Sequence, residues 1–227
     1  MFIQPFDGAL SESEWRHWIA TGGKFGVLAI PQIEPGLAPV MVPTHFTLAG
    51  NEILLHLARP NKSLKLLENG HPVSLSVVGD YAYIPNQWRA KSDVPAEHGV
   101  PTSYYAAVNF ALKPTVVSTD EALVEILKAQ MADMQPEGGY ARIDTAEAPY
   151  GPMLSGIRGV RLEIIDVEAK FKYDDHKPVE FREKVIGKLD DRSMGQDAGA
   201  ADQQQRRLDE IGEWRDYRNG DSQGVNL

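Results

Sequence analysis

The stretch HLARPNKSL, His56 to Leu64, carries the residue types with the clearest chemical meaning. It reads as the exit of a strand and the entry of a helix, with Asn61 placed to cap the helix. The backbone N–H groups of Asn61, Lys62, Ser63 and Leu64 would then be free at the positive end of that helix, beside Arg59, Lys62 and the Ser63 hydroxyl. Such a notch is a seat for an anion. A phosphate monoester there could accept several charge-assisted hydrogen bonds, each contributing roughly 1.5–3 kcal/mol. The plainer alternative leaves Asn61 as a cap and both cations in water. A second cluster is aromatic: Tyr81, Tyr83 and Trp88 before a polar loop, Tyr104 and Tyr105 after it. Rings of this kind can stack on a planar heterocycle and hydrogen-bond its edge, or they can simply fill a core.

Other chemical templates are not met. His17, His45, His56, His71, His98 and His176 show neither H-x-x-x-H nor H-E-x-x-H spacing, so no metal site is expected. No serine sits in a G-x-S-x-G turn, and the catalytic residues stay unassigned. The pairs Asp174-Asp175 and Asp190-Asp191 fall in turn-like settings and are expected to be solvated. Lys170 and Lys172 alternate in KFK and share one strand face, which is expected to be solvated as well.

Composition limits what these residues can belong to. The chain has 227 residues, 42% apolar and 24% charged, the profile of an ordinary globular protein with room for a sizeable core. It has no cysteine, which excludes thiolate metal sites, iron–sulfur clusters and cysteine nucleophiles and sets a cytoplasmic expectation. Its 23 basic and 32 acidic residues give a net charge of −9, which argues against direct DNA binding. No apolar run approaches the length of a membrane span, and the N-terminus lacks the pattern of a signal peptide.

The elements that must position the candidate residues are mostly strands. Ser11 and Glu14 have the spacing of a capping box, and Trp15, Trp18 and Ile19 predict a helix over about 12–20. Strands follow in FGVLAI, PVMVPTHFTL and EILLHLA, the last two joined by a Gly50-Asn51 hairpin turn. A short helix carries Leu64 and Leu67 and stops at Asn69-Gly70. PVSLSVV, YAYI and YYAAVNFALKPTVV continue the strand pattern, with Pro114 near the end of the last. Helices are predicted to about Met134 from Ser118 and over about 179–189. In the strand Val160–Tyr173 the inward set changes phase between Ile164 and Ile165, which predicts a β-bulge. SMGQDAGAADQQQ reads as a linker, followed by a helix bearing Leu208, Ile211 and Trp214. These elements predict a mainly β protein with peripheral helices, a barrel domain over residues 1–190 and a C-terminal extension over 191–227.

Several segments taken in order resemble the PaiB family of FMN-binding split-barrel proteins, often described as negative transcriptional regulators. They are HLARPN, YIPNQW, VPTSYYAAV, MLSGIRGV, KFK and, after Arg182, VIGKL; together they span about residues 1–190. The resemblance implies a six-stranded antiparallel split barrel that forms a homodimer, with FMN at the subunit interface. It implies Arg59, Asn61, Lys62 and Ser63 as phosphate ligands, and Thr44, Tyr83, Trp88, Tyr104 and Tyr105 as residues lining the ring. His56, Lys170 and Lys172 complete the set of cofactor-binding residues, and with Arg182 the lysines are placed to stabilise the reduced ring. The function it implies is a flavin-dependent regulator; the alternative is an FMN-dependent oxidoreductase acting on a small molecule. A third reading makes the C-terminal tail a docking module. The sequence departs from the family pattern at KFKYDDH and at Asn109, and nothing after Asp190 has a counterpart.

Overall fold

A computed structural model of the protein describes residues 1–91, 93–212 and 214. In chain order its elements are α1 (Glu12–Thr21), β1 (Phe25–Ile30), β2 (Val40–His45), β3 (Thr47–Ala49), β4 (Glu52–Ala58), α2 (Ser63–Leu67), β5 (Val73–Ile84) and α3 (Asn86–Arg89). Then come β6 (Thr102–Val116), α4 (Asp120–Met134), α5 (Tyr150–Leu154), β7 (Ile157–Lys172), α6 (Val179–Arg192) and α7 (Asp197–Ile211). The strands form one sheet in the order β2-β1-β5-β6-β7-β4-β3. The expected class, mainly β and antiparallel with several short helices, is the observed one, but the sheet has seven strands where six were expected. The run PVMVPTHFTL is two strands rather than one. It breaks at Phe46, which is buried and whose N–H donates to the Lys24 carbonyl at 3.1 Å instead of continuing the ladder.

The chain divides into two compact units. The central unit comprises Arg16–Val77 and Asn109–Glu168. Here β1 pairs with β2 from Phe25↔His45 to Ile30↔Val40, and β4 pairs with β7 from Glu52↔Glu163 to Ala58↔Ile157. The β3–β4 hairpin turns on Gly50, whose φ of +60° only glycine adopts without cost, with Ala49 paired to Glu52 as the Gly50-Asn51 signal predicts. Leu54, Val117, Leu123, Val124, Ile126, Ile143 and Leu154 form a buried cluster under α4. Gly159 of β7 lies directly below it, and its carbonyl accepts from Val117 N–H at 3.0 Å. A Cβ there would stand 2.7 Å from Ile126 and 2.8 Å from Val117, so only glycine lets helix and strand approach.

The terminal unit comprises Met1–Trp15, Val78–Val108 and the described residues from Ala169 onward. Along β7 the buried positions are Gly159, Val160 and Leu162, then Ala169, Lys170 and Phe171, with Tyr173 buried just beyond it, so the buried large apolar set changes phase as expected. Ile165, expected to point inward, is instead 57% exposed, because Ile165 and Asp166 both face solvent where the phase switches. The presumed linker is helical: α7 begins at Asp197, since Ala and Gln are adequate helix formers and its inner face is anchored by buried Gln204 and Arg207. Asp174-Asp175 is not a solvated pair either. Asp175 has no exposure and meets Arg182 at 3.2 Å and Arg207 at 2.6 Å. Arg207 also donates to Glu14 at 2.6 Å and to the Gly8 carbonyl at 3.0 Å. Burial disfavours its charged form, but Asp175 and Glu14 outweigh that and hold its pKa above the usual value. Among the described residues no helix is long and apolar enough to cross a membrane.

Gly159→Ala is expected to lower stability by about 1–3 kcal/mol through overpacking. Gly187→Ala, on an exposed helical position with nothing near its Cβ, should raise stability by about 0.4–1 kcal/mol. Urea denaturation of both variants checks the pair. Arg207→Met strands two carboxylates and should cost about 3–5 kcal/mol in the same measurement.

Candidate functional site

The central unit holds Thr44, His56, Arg59, Asn61, Lys62 and Ser63 of the expected residues. β4 ends at Ala58, and Arg59 N–H donates to the Gly156 carbonyl at 2.8 Å, which fixes the turn into α2. Asn61, expected as the helix cap, instead stands one residue earlier: the cap position is Lys62, without a side-chain cap, and Asn61 Oδ1 accepts from Ser63 N–H at 3.0 Å in an Asx turn. The expected row of free amides is not there. Asn61 N–H goes to the Ala58 carbonyl at 2.8 Å and Leu64 N–H to the Asn61 carbonyl at 3.1 Å, so three of the four are satisfied locally. What remains for an anion is side-chain chemistry. Arg59 and Lys62 are exposed, and among the described residues neither side chain has a hydrogen bond or ion pair; Ser63 is buried with its hydroxyl likewise unpaired.

His56 and Thr44 sit differently. His56 Nδ1 lies 2.7 Å from Gln130 Oε1, and the His56 ring meets His45 edge-on with centroids 5.4 Å apart. Partial burial first, and His56 second, hold His45 below the usual histidine range. Thr44 is buried and donates to the His45 carbonyl at 2.9 Å, so it has no hydroxyl proton to spare. Sequence spacing could not reveal the partnership with Gln130, whose position on α4 is distant in the chain.

The terminal unit holds Tyr83, Trp88, Tyr104, Tyr105, Lys170 and Lys172. Tyr104, expected to line the ring, is fully buried. Its hydroxyl donates to Asp174 at 3.0 Å and accepts from Gln204 at 3.1 Å, and burial raises its pKa well above the phenol range. Lys170 is a buried ion rather than a solvated one: its amine donates to the Phe2 carbonyl at 2.9 Å and lies 3.8 Å from Asp7. Arg182 is equally unavailable to a ligand, being fully buried against Asp175. Lys172 is half-buried, donating to Thr102 Oγ1 at 2.8 Å and the Ser103 carbonyl at 3.1 Å, and stands 5.9 Å from the centre of the Tyr105 ring. Burial lowers its pKa, and Lys170 and Arg89 add to the shift against the opposing pull of Asp7. Tyr83 and Trp88 are linked by Arg192, which donates to the Tyr83 carbonyl at 2.8 Å and lies 4.7 Å over the Trp88 ring. Among the described residues no group of three or more His, Asp or Glu is placed to hold a metal ion.

Comparison with known proteins gives these features a class. Residues 1–166 match the family model described as "Putative FMN-binding domain", and the chain belongs to that family. FMN is the cofactor this membership assigns to it. The match contains Arg59, Lys62, Ser63 and all the candidate aromatics, and ends before Lys170. Three solved structures share the fold: the FAD and heme binding protein from Mycobacterium smegmatis (TM-score 0.55, 18% identity, 73% of each chain covered); the flavocytochrome Anf3 from Azotobacter vinelandii (0.52, 14%, 73% of each); and a conserved hypothetical protein from Mycobacterium tuberculosis (0.51, 18%, 75% of this chain and 90% of that one). The fold is thus similar to the flavin-binding split barrels. No curated protein sequence matches the chain.

Proposed function

We propose that this chain binds FMN through the phosphate at Arg59, Lys62 and Ser63, and serves, as a homodimer, as an FMN-dependent oxidoreductase acting on a small molecule. The observation that carries the reading is the pair of unpaired cations beside the unpaired hydroxyl of Ser63 at the β4–α2 junction, within the family-matched segment. Two side-chain cations balance the two charges of a phosphate monoester without amide help. Asn61 acts here as the residue that shapes the turn rather than as a ligand. Bound FMN supplies reversible electron transfer; the protein supplies position and electrostatics. Tyr83, Trp88, Tyr105 and Lys172 belong to the terminal unit and are not assigned to this seat. The transcriptional-regulator role has no support in the family match or the solved structures, and the net charge of −9 opposes a direct DNA contact.

Freshly purified protein should show flavin absorption near ~450 nm. In a fluorescence titration the double variant R59Q/K62Q should weaken FMN binding about 10–100-fold while leaving riboflavin binding unchanged, since riboflavin lacks the phosphate. Equal loss for both ligands would remove the phosphate assignment. Reduction of the bound flavin by NADH, NADPH or a reduced deazaflavin tests the oxidoreductase part, and light scattering tests the dimer.

A further inference from the structure

A hollow of about 580 Å³ lies within the terminal unit, between the segment after α3 and the start of α6. Its polar lining includes Arg89, Lys91, His98 and Lys177, its apolar lining includes Val100 and Phe181, and among the described residues no acidic one lines it. The volume falls in the range of roughly 300–1,000 Å³ typical of small-molecule sites. The charge is unevenly matched. Arg89 is paired with Asp174, whose carboxylate also accepts from Tyr104. The amines of Lys91 and Lys177 have no hydrogen bond or ion pair among the described residues, so the cavity keeps a surplus of two positive charges. We propose that this cavity binds a small organic dianion, a phosphate monoester or a dicarboxylate on an apolar or aromatic body, with the charge at Lys91 and Lys177 and the body against Phe181 and Val100.

Three observations support the assignment. Burial first, then Arg89 and Lys91, depress the pKa of Lys177, a repulsion that a bound anion would relieve. The neighbouring His176 is lowered to about 4 by burial, Lys177 and Arg89, so it is neutral at pH 7 and leaves anion binding to the lysines. The Arg89 guanidinium lies 5.8 Å over the Phe181 ring, which ties the cationic wall to the apolar one. The site uses neither Arg59 nor Lys62 and does not depend on the flavin reading.

The test is calorimetric titration of the full chain, saturated with FMN so that the proposed flavin phosphate seat is filled, at low salt with phenyl phosphate, phthalate and inorganic phosphate. One equivalent of phenyl phosphate or phthalate should bind with submillimolar affinity, the tighter of the two identifying the headgroup. K91Q/K177Q should weaken that binding about tenfold or more. Phe181→Ala should weaken phenyl phosphate but not inorganic phosphate. Both lysines are at least partly exposed, and circular dichroism shows whether their replacement leaves the fold intact. Absence of binding at millimolar probe would overturn the proposal. So would binding that survives K91Q/K177Q and disappears in R59Q/K62Q, which would place the anion at the flavin phosphate seat.

Discussion

Arg207 has no exposure to water, and a buried guanidinium is tolerable only where fixed acceptors surround it. Glu14, Asp175 and the Gly8 carbonyl are those acceptors, and Asp175 is shared with Arg182, also fully buried. The constraint ties the N-terminal segment, the turn after β7 and helices α6 and α7 into one arrangement. Each charge is expensive to bury alone and compensated only by the others. That is why α7, polar in composition, has a definite inner face. Gln204 extends the same network, donating to the Tyr104 hydroxyl at 3.1 Å and the Tyr173 carbonyl at 3.0 Å.

The turn after β7 divides its two carboxylates between separate tasks. Asp174 adopts a left-handed backbone with φ of +59°, a conformation that aspartate accepts more readily than most residues. Asp175 then serves the two buried arginines, while Asp174 takes Arg89 and the Tyr104 hydroxyl. One consequence falls on Lys177, whose N–H donates to the Asp174 carbonyl at 2.8 Å. The Asp174 carboxylate is already engaged by Arg89 and Tyr104, and among the described residues the Lys177 amine has no hydrogen bond or ion pair. The cationic character of the cavity is therefore a by-product of how the buried network is closed.

Local rules were legible in the sequence wherever one short segment decides the outcome. The Gly50-Asn51 hairpin, the turn at Asn61, α1 after Ser11 and the long strand ending beyond Pro114 all follow from nearest-neighbour chemistry. Even the capping box is modified by tertiary demand: the Ser11 hydroxyl accepts from Glu14 N–H at 3.3 Å, while Glu14 also serves Arg206 and Arg207. What could not be read is whatever depends on partners far apart in the chain. Asp174-Asp175 looked like a solvated pair because nothing nearby in sequence announces Arg182 and Arg207. Tyr104 has the composition of a stacking residue and the surroundings of a core hydrogen-bond donor. The β4–α2 junction was legible as cationic but not as amide-poor, because an Asx turn and a free helix end share the same sequence.

The loss of the free amides changes how the β4–α2 junction can hold a phosphate. Backbone N–H groups are fixed in direction, whereas Arg59 and Lys62 are long, exposed side chains that must be ordered on binding. Exposed cations are also screened over a Debye length of about 8 Å at physiological salt, which weakens their hold on a headgroup. In the proposed phosphate seat, selectivity for FMN would then fall to Ser63, a buried residue whose position is fixed relative to the turn. Charge would draw the phosphate in, and the turn that Asn61 shapes would determine where its oxygens settle.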